Sequence, residues 1–400
     1  MNSLDAIRNE EESLLFRTYG RYPIAVERGL GSRLWDVDGK EYIDLLAGIA
    51  VTGIGHCHPE IADVMAEQAR KLIHVSNLFY QKEQLALAKR ILATAHFGKV
   101  FFCNSGAEAN EAAIKLARRY QQRVKNRDAY EVITFQGCFH GRTLATVAAT
   151  GQEKFQDGFA PMPDGFTQIA WGDIAALEAA ISGKTAAVLL EMVQGEGGIR
   201  PVTRDYVQAV ASLCRDKGVL FMADEVQAGL GRTGTWWAFQ HFGVKPDILT
   251  TAKALANGLP MGAMMGTEEV AQGFVTGSHA TTFGAGALVS RVADKVLEII
   301  ERDKLHERAG TLGAWAMERF NAVGRACPGC VSDVRGLGLM IGIELAFPGK
   351  EVWEALIKKG FILNLTQERV LRLLPALTIE QDDLERFASA LEETLRELGK

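Results

Sequence analysis

Cysteine is scarce in this chain: Cys57, Cys103, Cys138, Cys214, Cys327 and Cys330 are scattered through 400 residues. That density excludes a disulfide-stapled scaffold and fits reduced, packed thiols. Cys327-Pro-Gly-Cys330 is a single C-x-x-C with no second ligand pair at a matching spacing, so it reads as a turn and not a zinc site. His56-Cys57-His58, followed by Pro59 and with no evident carboxylate partner, also carries no metal expectation. Long apolar runs are missing too. The longest, Leu45 to Ile54, is too short to span a bilayer. No Lys/Arg-rich run gives a nucleic-acid footprint. The opening MNSLDAIRNEEE is acidic and lacks the basic-then-apolar order of a signal peptide, so a cytoplasmic location is expected. There is no internal repeat.

Apolar content is plentiful: 48% of residues are hydrophobic and 23% charged, with a formal net charge of -5. Such a chain buries a large core, and its length exceeds what one core usually serves. We expect a large domain over 56–310, a smaller α+β domain over 311–400, and an N-terminal segment, 1–55, packing with the small domain. From about residue 98, apolar runs at 100–103, 132–135, 187–190, 219–223, 248–251 and 263–266 alternate with helical patterns such as Ala107–Tyr120 and Asp205–Lys217. Strands apolar throughout, separated by helices, predict an α/β fold with a mostly parallel sheet covered on both faces. Ligands of such sheets bind beyond the carboxyl ends of the strands. Residues 33–37 and 41–45 predict a hairpin with a type I′ turn at Asp38-Gly39. Towards the C-terminus, 331–345 and 370–374 read as strands and 381–398 as a helix.

Three polar clusters fall at predicted strand ends. Ser105-Gly106-Ala107-Glu108 follows the first run and opens a helix. Small residues there expose backbone N–H groups that suit a phosphate, and Ser105 with Glu108 also matches a capping box. Asp224-Glu225 ends another strand, where buried carboxylates require partners. Lys253 follows a third; alone, it would read as a lysine snorkelling to the surface. Together they fit pyridoxal 5'-phosphate, which needs a phosphate cradle, an amine to receive its aldehyde and a carboxylate on its ring nitrogen. Lys253 would hold it and serve as base. Asp224, nearer the strand end, suits the ring nitrogen better than Glu225, which is kept as a neighbouring cofactor contact.

The order Ser105-Gly106-Ala107, Phe139-His140-Gly141-Arg142, Asp224-Glu225-Val226-Gln227, Lys253 and Thr281-Thr282 resembles the class III, fold-type I aminotransferases, over nearly the whole chain from Tyr19 to Pro375. The resemblance implies a mostly parallel large domain with a smaller α+β domain. It also implies that Gly106 and Ala107 hold the phosphate, Phe139 stacks on the ring, and Val226 and Gln227 line its face and hydroxyl edge. Thr282 would reach the phosphate of a partner subunit, which implies a homodimer. Thr18–Pro23 and Ser76–Tyr80 bring the chain nearer to members using N-acetylornithine than to those using ornithine. Succinylated ornithine and succinylated diaminopimelate remain open as substrates, and 2-oxoglutarate is the implied acceptor.

Such an enzyme must accept two dissimilar amines. The resemblance implies that Arg142 reads the distant carboxylate of both, a task suited to a planar guanidinium fork. Arg372 would read the carboxylate adjacent to the glutamate amine, masked by Glu196 when the other substrate binds. Thr281 and Tyr19 complete the expected substrate contacts. Gly229-Leu230-Gly231-Arg232-Thr233-Gly234 matches a dinucleotide fingerprint and raises a dehydrogenase as rival, but it neither follows its strand directly nor precedes a good helix start. An aminomutase or racemase could share the lysine, aspartate and cradle, and a non-catalytic protein of this fold would have no use for the lysine.

Overall fold

Val, Ile, Leu and Phe crowd into short runs because those runs are covered on both sides. Every residue of the strands Thr185–Glu191, Leu220–Asp224 and Ile248–Thr251 is buried. The computed structural model describes residues 3–399. Residues 1–2 and 400, the outermost positions of the two expected terminal segments, lie outside the described residues. All six apolar runs enter one seven-stranded sheet. Its order is Lys99–Cys103, Gly262–Gly266, Ile248–Thr251, Leu220–Asp224, Thr185–Glu191, Glu131–Phe135, Phe166–Ile169. Pairing is parallel except at Gly262–Gly266, which runs antiparallel to both neighbours. The edge strand Phe166–Ile169 is short and half-covered, so it lacks the continuous apolar run that betrays the others.

The remaining sheets are smaller. Val331–Leu337, Met340–Leu345, Val370–Leu373 and Asn364–Thr366 form an antiparallel sheet. Against it stands the helix Leu305–Ala326, and Gln381–Glu397 packs on that helix. Val26–Leu30, Arg33–Asp36 and Glu41–Asp44 form a meander whose last strand pairs in parallel with Phe361–Ile362. The N-terminal segment is thereby hydrogen-bonded to the C-terminal part of the chain.

Two expectations are corrected. The hairpin is present, but of its two turn residues Gly39 alone has positive φ (82°), whereas a type I′ turn needs both. Instead the Asp36 carboxylate collects the N–H groups of Asp38 and Lys40. His56 does have a carboxylate partner: its Nε2 lies 2.7 Å from Asp44, whose other oxygen accepts the Leu46 and Ala47 N–H groups. The Gly229–Gly234 run lies in turns and opens no helix. Its buried Arg232 donates to the carbonyls of Leu339, at 3.2 Å, and Pro375, tying this loop to the C-terminal part. No helix among the described residues is long and apolar enough to cross a membrane.

Candidate active site

A cavity of about 380 Å³ opens where the central strands end at their carboxyl side. Its lining includes Ser105, Gly106, Ala107, Phe139, Arg142, Glu196, Asp224, Val226, Gln227 and Lys253. Residues drawn from five separate segments of the sequence therefore face one space.

One wall is the start of the helix Gly106–Arg123. Ser105 caps it, its Oγ accepting the Glu108 N–H at 3.1 Å. The capping box is only half formed, because the Glu108 carboxylate turns to the Asn104 amide (2.9 Å). With the Glu108 N–H taken by Ser105, the Gly106 and Ala107 N–H groups stay without intrahelical acceptors. A Cβ on Gly106 would come within 2.7 Å of Val226, so the wall admits no side chain there.

The floor is Asp224. Its Oδ2 accepts from Asn110 Nδ2 at 2.8 Å and pairs with His140 Nδ1 at 2.7 Å; its Oδ1 accepts the Val226 N–H at 3.0 Å. Asn110, one turn into the helix, is itself fixed by the His140 carbonyl (2.8 Å) and the Thr250 hydroxyl (2.7 Å). Burial disfavours the His140 cation, but Cys138 and the Asp224 carboxylate outweigh it and raise its pKa well above the ordinary range. Glu191, also at the cavity, accepts the Phe139 N–H at 3.1 Å and the Gly195 N–H at 3.4 Å, and burial raises its pKa. Nothing in the sequence marks Asn110, His140 or Glu191 as part of the site beyond their place beside recognised motifs, because partners that fix them, such as Asp224 and Phe139, lie 30 to 114 positions away.

Lys253 follows the strand Ile248–Thr251 with φ of 43°, a strained backbone for a residue with a Cβ. It lines the cavity, and its Nζ makes no hydrogen bond or ion pair with the described residues. Burial lowers its pKa, which enlarges the neutral, nucleophilic fraction.

Glu196 and Arg372 pair directly. Burial works against the Glu196 carboxylate, yet Arg372 holds its pKa below the usual value. The Glu196 backbone carbonyl is gripped by the Thr366 hydroxyl at 3.0 Å and the Gln367 amide at 2.6 Å. Arg372 is 1% exposed and stands behind Glu196, outside the lining. Arg142 is exposed and sits 4.3 Å from the Phe155 ring centroid and 5.6 Å from that of Phe139.

Other expected residues do not reach the cavity in this single chain. Glu225 points away from it and accepts the N–H groups of Ala238 (2.9 Å) and Phe239 (2.8 Å). It is therefore a cap for the next helical turn and not a cofactor contact; burial raises its pKa to about 8. Tyr19 is 76% exposed, under the Arg21 guanidinium. Thr282 is exposed and outside the lining. Thr281 touches the site indirectly, accepting from Asn104 Nδ2 at 3.2 Å.

The sequence and fold match known proteins along nearly their full length. The family model for Aminotransferase class-III matches residues 16–395. An acetylornithine aminotransferase of Methanocaldococcus jannaschii is 44% identical over 391 residues, 98% of each chain. The solved ornithine aminotransferase of Toxoplasma gondii superposes with a TM-score of 0.96 at 30% identity, over 100% of this chain and 96% of the other. The acetylornithine aminotransferase of Elizabethkingia anophelis gives 0.89 at 32%, over 99% and 100%.

Proposed function

The chain belongs to the class-III aminotransferases, enzymes that use pyridoxal 5'-phosphate, and from that premise we propose that it moves the terminal amino group of N-acetylornithine to 2-oxoglutarate. The products are N-acetylglutamate semialdehyde and glutamate, a step of arginine biosynthesis. The similarity to acetylornithine aminotransferases at 40–44% identity over nearly the whole chain favours this substrate over ornithine.

The residues present fit the cofactor. Two unspent helix N–H groups and a position too tight for any Cβ make an anion cradle at Gly106 and Ala107. Asp224 would pair with the ring nitrogen, and the Asn110 and His140 contacts hold its carboxylate in place. Phe139, Val226 and Gln227 would flank the ring, and Lys253 would hold the aldehyde. When bound, the cofactor supplies an electron-withdrawing ring that stabilises charge left at the amine-bearing carbon. Lys253 Nζ would be the group that moves a proton at the amine-bearing carbon; its lowered pKa suits both accepting and returning it. Arg142 would bind the distant carboxylate of either substrate. Arg372 would bind the carboxylate beside the glutamate amine, and Glu196 would neutralise it when that carboxylate is absent.

A second copy of the chain is part of the proposal. Leu78, Phe79 and Tyr80 stand exposed beside Phe283 and Ile73, and Asn77 Nδ2 ties this segment to the Gly284 carbonyl at 2.9 Å. Thr282 lies on the same surface and would complete the phosphate site of the partner.

The observation that carries the reading is the convergence of Lys253, Asp224 and the two N–H groups on one cavity. The test is a half-reaction: glutamate alone should release one 2-oxoglutarate per site, and N-acetylornithine should react faster than ornithine, succinylornithine or γ-aminobutyrate. Lys253→Ala should abolish turnover and the visible absorption band. Borohydride should add the cofactor's mass to the peptide holding Lys253. An isomerase would release no 2-oxoglutarate, and a nicotinamide enzyme would show no visible band.

A further inference from the structure

Arg372 carries a charge in a nearly closed space, and its partners differ in kind. One terminal nitrogen, Nη1, donates to the Glu196 carboxylate and, at 3.5 Å, to the Gln227 amide oxygen. The other, Nη2, donates to Asn364 Oδ1 at 2.8 Å, and Nε is buried without a partner. Asn364 stands directly across the strand pair from Arg372. The orientation of its amide is dictated by its neighbours. Arginine only donates, so the amide oxygen must face it. The amide nitrogen then donates to Tyr22 Oη at 3.1 Å, which can accept because the Tyr22 hydroxyl hydrogen is spent on the Leu363 carbonyl, also at 3.1 Å. Tyr22 is seated edge-on against Trp353 at 4.9 Å, and Trp353 Nε1 donates to the same carbonyl.

We propose that Asn364, oriented by Tyr22, is a specificity-determining positioning residue that clamps Arg372 while leaving its charge uncancelled. The inference rests on the proposed role of Arg372 as a carboxylate reader. A buried guanidinium needs acceptors for its N–H groups. A neutral amide supplies one and fixes the plane of the fork, but adds no negative charge. When Glu196 moves aside, the whole positive charge therefore faces the incoming carboxylate. A carboxylate at position 364 would neutralise Arg372 permanently, and the enzyme would lose its discrimination between substrates with and without a carboxylate beside the reacting amine. Tyr22 is thus a tyrosine of the N-terminal segment that acts on this end of the site.

The test titrates 2-oxoglutarate calorimetrically into the cofactor-loaded enzyme without an amino donor, and follows both half-reactions in single turnovers. Asn364→Asp should weaken 2-oxoglutarate binding at least tenfold. It should also slow the glutamate half-reaction at least tenfold more than the N-acetylornithine one. Tyr22→Phe retains the ring against Trp353, folds as the parent does, and should shift both quantities in the same direction by two- to fivefold. Arg372→Lys serves as reference. If it weakens binding tenfold while Asn364→Asp and Tyr22→Phe stay within twofold of the parent, the role of Asn364 is overturned and that of Arg372 stands. If all three stay within twofold, the Arg372 assignment itself falls.

Discussion

In the proposed mechanism Arg372 and Glu196 would let one residue pair serve two substrates. Separating a buried pair leaves an uncompensated charge at a cost of about 3–5 kcal/mol, so the pair opens only when another carboxylate replaces Glu196. In Glu196→Ala, Arg372 stays exposed to any carboxylate that enters. The KM for glutamate and 2-oxoglutarate should fall, and the ratio of kcat/KM for glutamate to that for N-acetylornithine should rise at least tenfold. Steady-state kinetics with each donor in turn checks this, and an unchanged ratio would refute the switch. Arg142 works differently. It has no ion pair or hydrogen bond among the described residues and rests on the Phe155 ring. A cation–π contact at an exposed site contributes about 0.5–1 kcal/mol. Phe155→Leu should therefore raise KM for both substrates by about two- to fivefold and leave kcat near the parent value. A fall in kcat without a rise in KM would show that Phe155 acts elsewhere.

At the scale of elements, much of this molecule is legible in its sequence. Runs such as Ala187–Leu190 and Ile248–Thr251 are rich in apolar residues because they are buried at every position, and the segments that follow these runs line the cavity. Less legible is structure set by backbone strain or distant partners. Ala47, Gly48, Ile49 and Ala50 form a left-handed turn, with φ between 50° and 65°. Each non-glycine residue there costs about 1–2 kcal/mol, which no reading of an apolar run anticipates. The bonds from Asp44 to the Leu46 and Ala47 N–H groups hold the turn's entry in place. Glu225 shows the same limit. Its sequence position beside Asp224 suggests a cofactor contact, but side chains alternate along a strand and its own faces the opposite way, onto the Ala238 and Phe239 N–H groups. Burial raises its pKa from 4.5 to about 8. The folded protein therefore holds a proton that the unfolded chain releases above about pH 4.5. The contribution to stability is complete below that pH and is lost as pH rises towards 8. Glu225→Gln should flatten the decline of unfolding free energy between pH 5 and 8, measured by urea denaturation. Parallel pH profiles for the two proteins would refute a titrating Glu225.

The whole molecule brings distant parts of the chain to one site. The N-terminal meander pairs with Phe361–Ile362, the segment just before it supplies Tyr22 to the Arg372 cluster, and the long sheet supplies Asp224 and leads into Lys253. A single copy nevertheless leaves Thr282 outside its own cavity and leaves Leu78, 87% exposed, beside Phe79, Tyr80 and Phe283 in water. An apolar surface of this kind marks an interface, and a two-fold axis would let each copy cover the other's patch with the same residues. Replacing both Leu78 and Phe79 with Asp touches side chains that a lone chain exposes, so the fold of each copy should persist. Two buried carboxylates per copy would face each other across the axis without partners, a penalty of several kcal/mol. The variant should sediment at half the mass of the parent and show unchanged far-UV circular dichroism. With no partner to contribute Thr282, it should bind pyridoxal 5'-phosphate at least tenfold more weakly. A parent protein that sediments as one chain, or a monomeric variant with full cofactor affinity, would overturn the shared site.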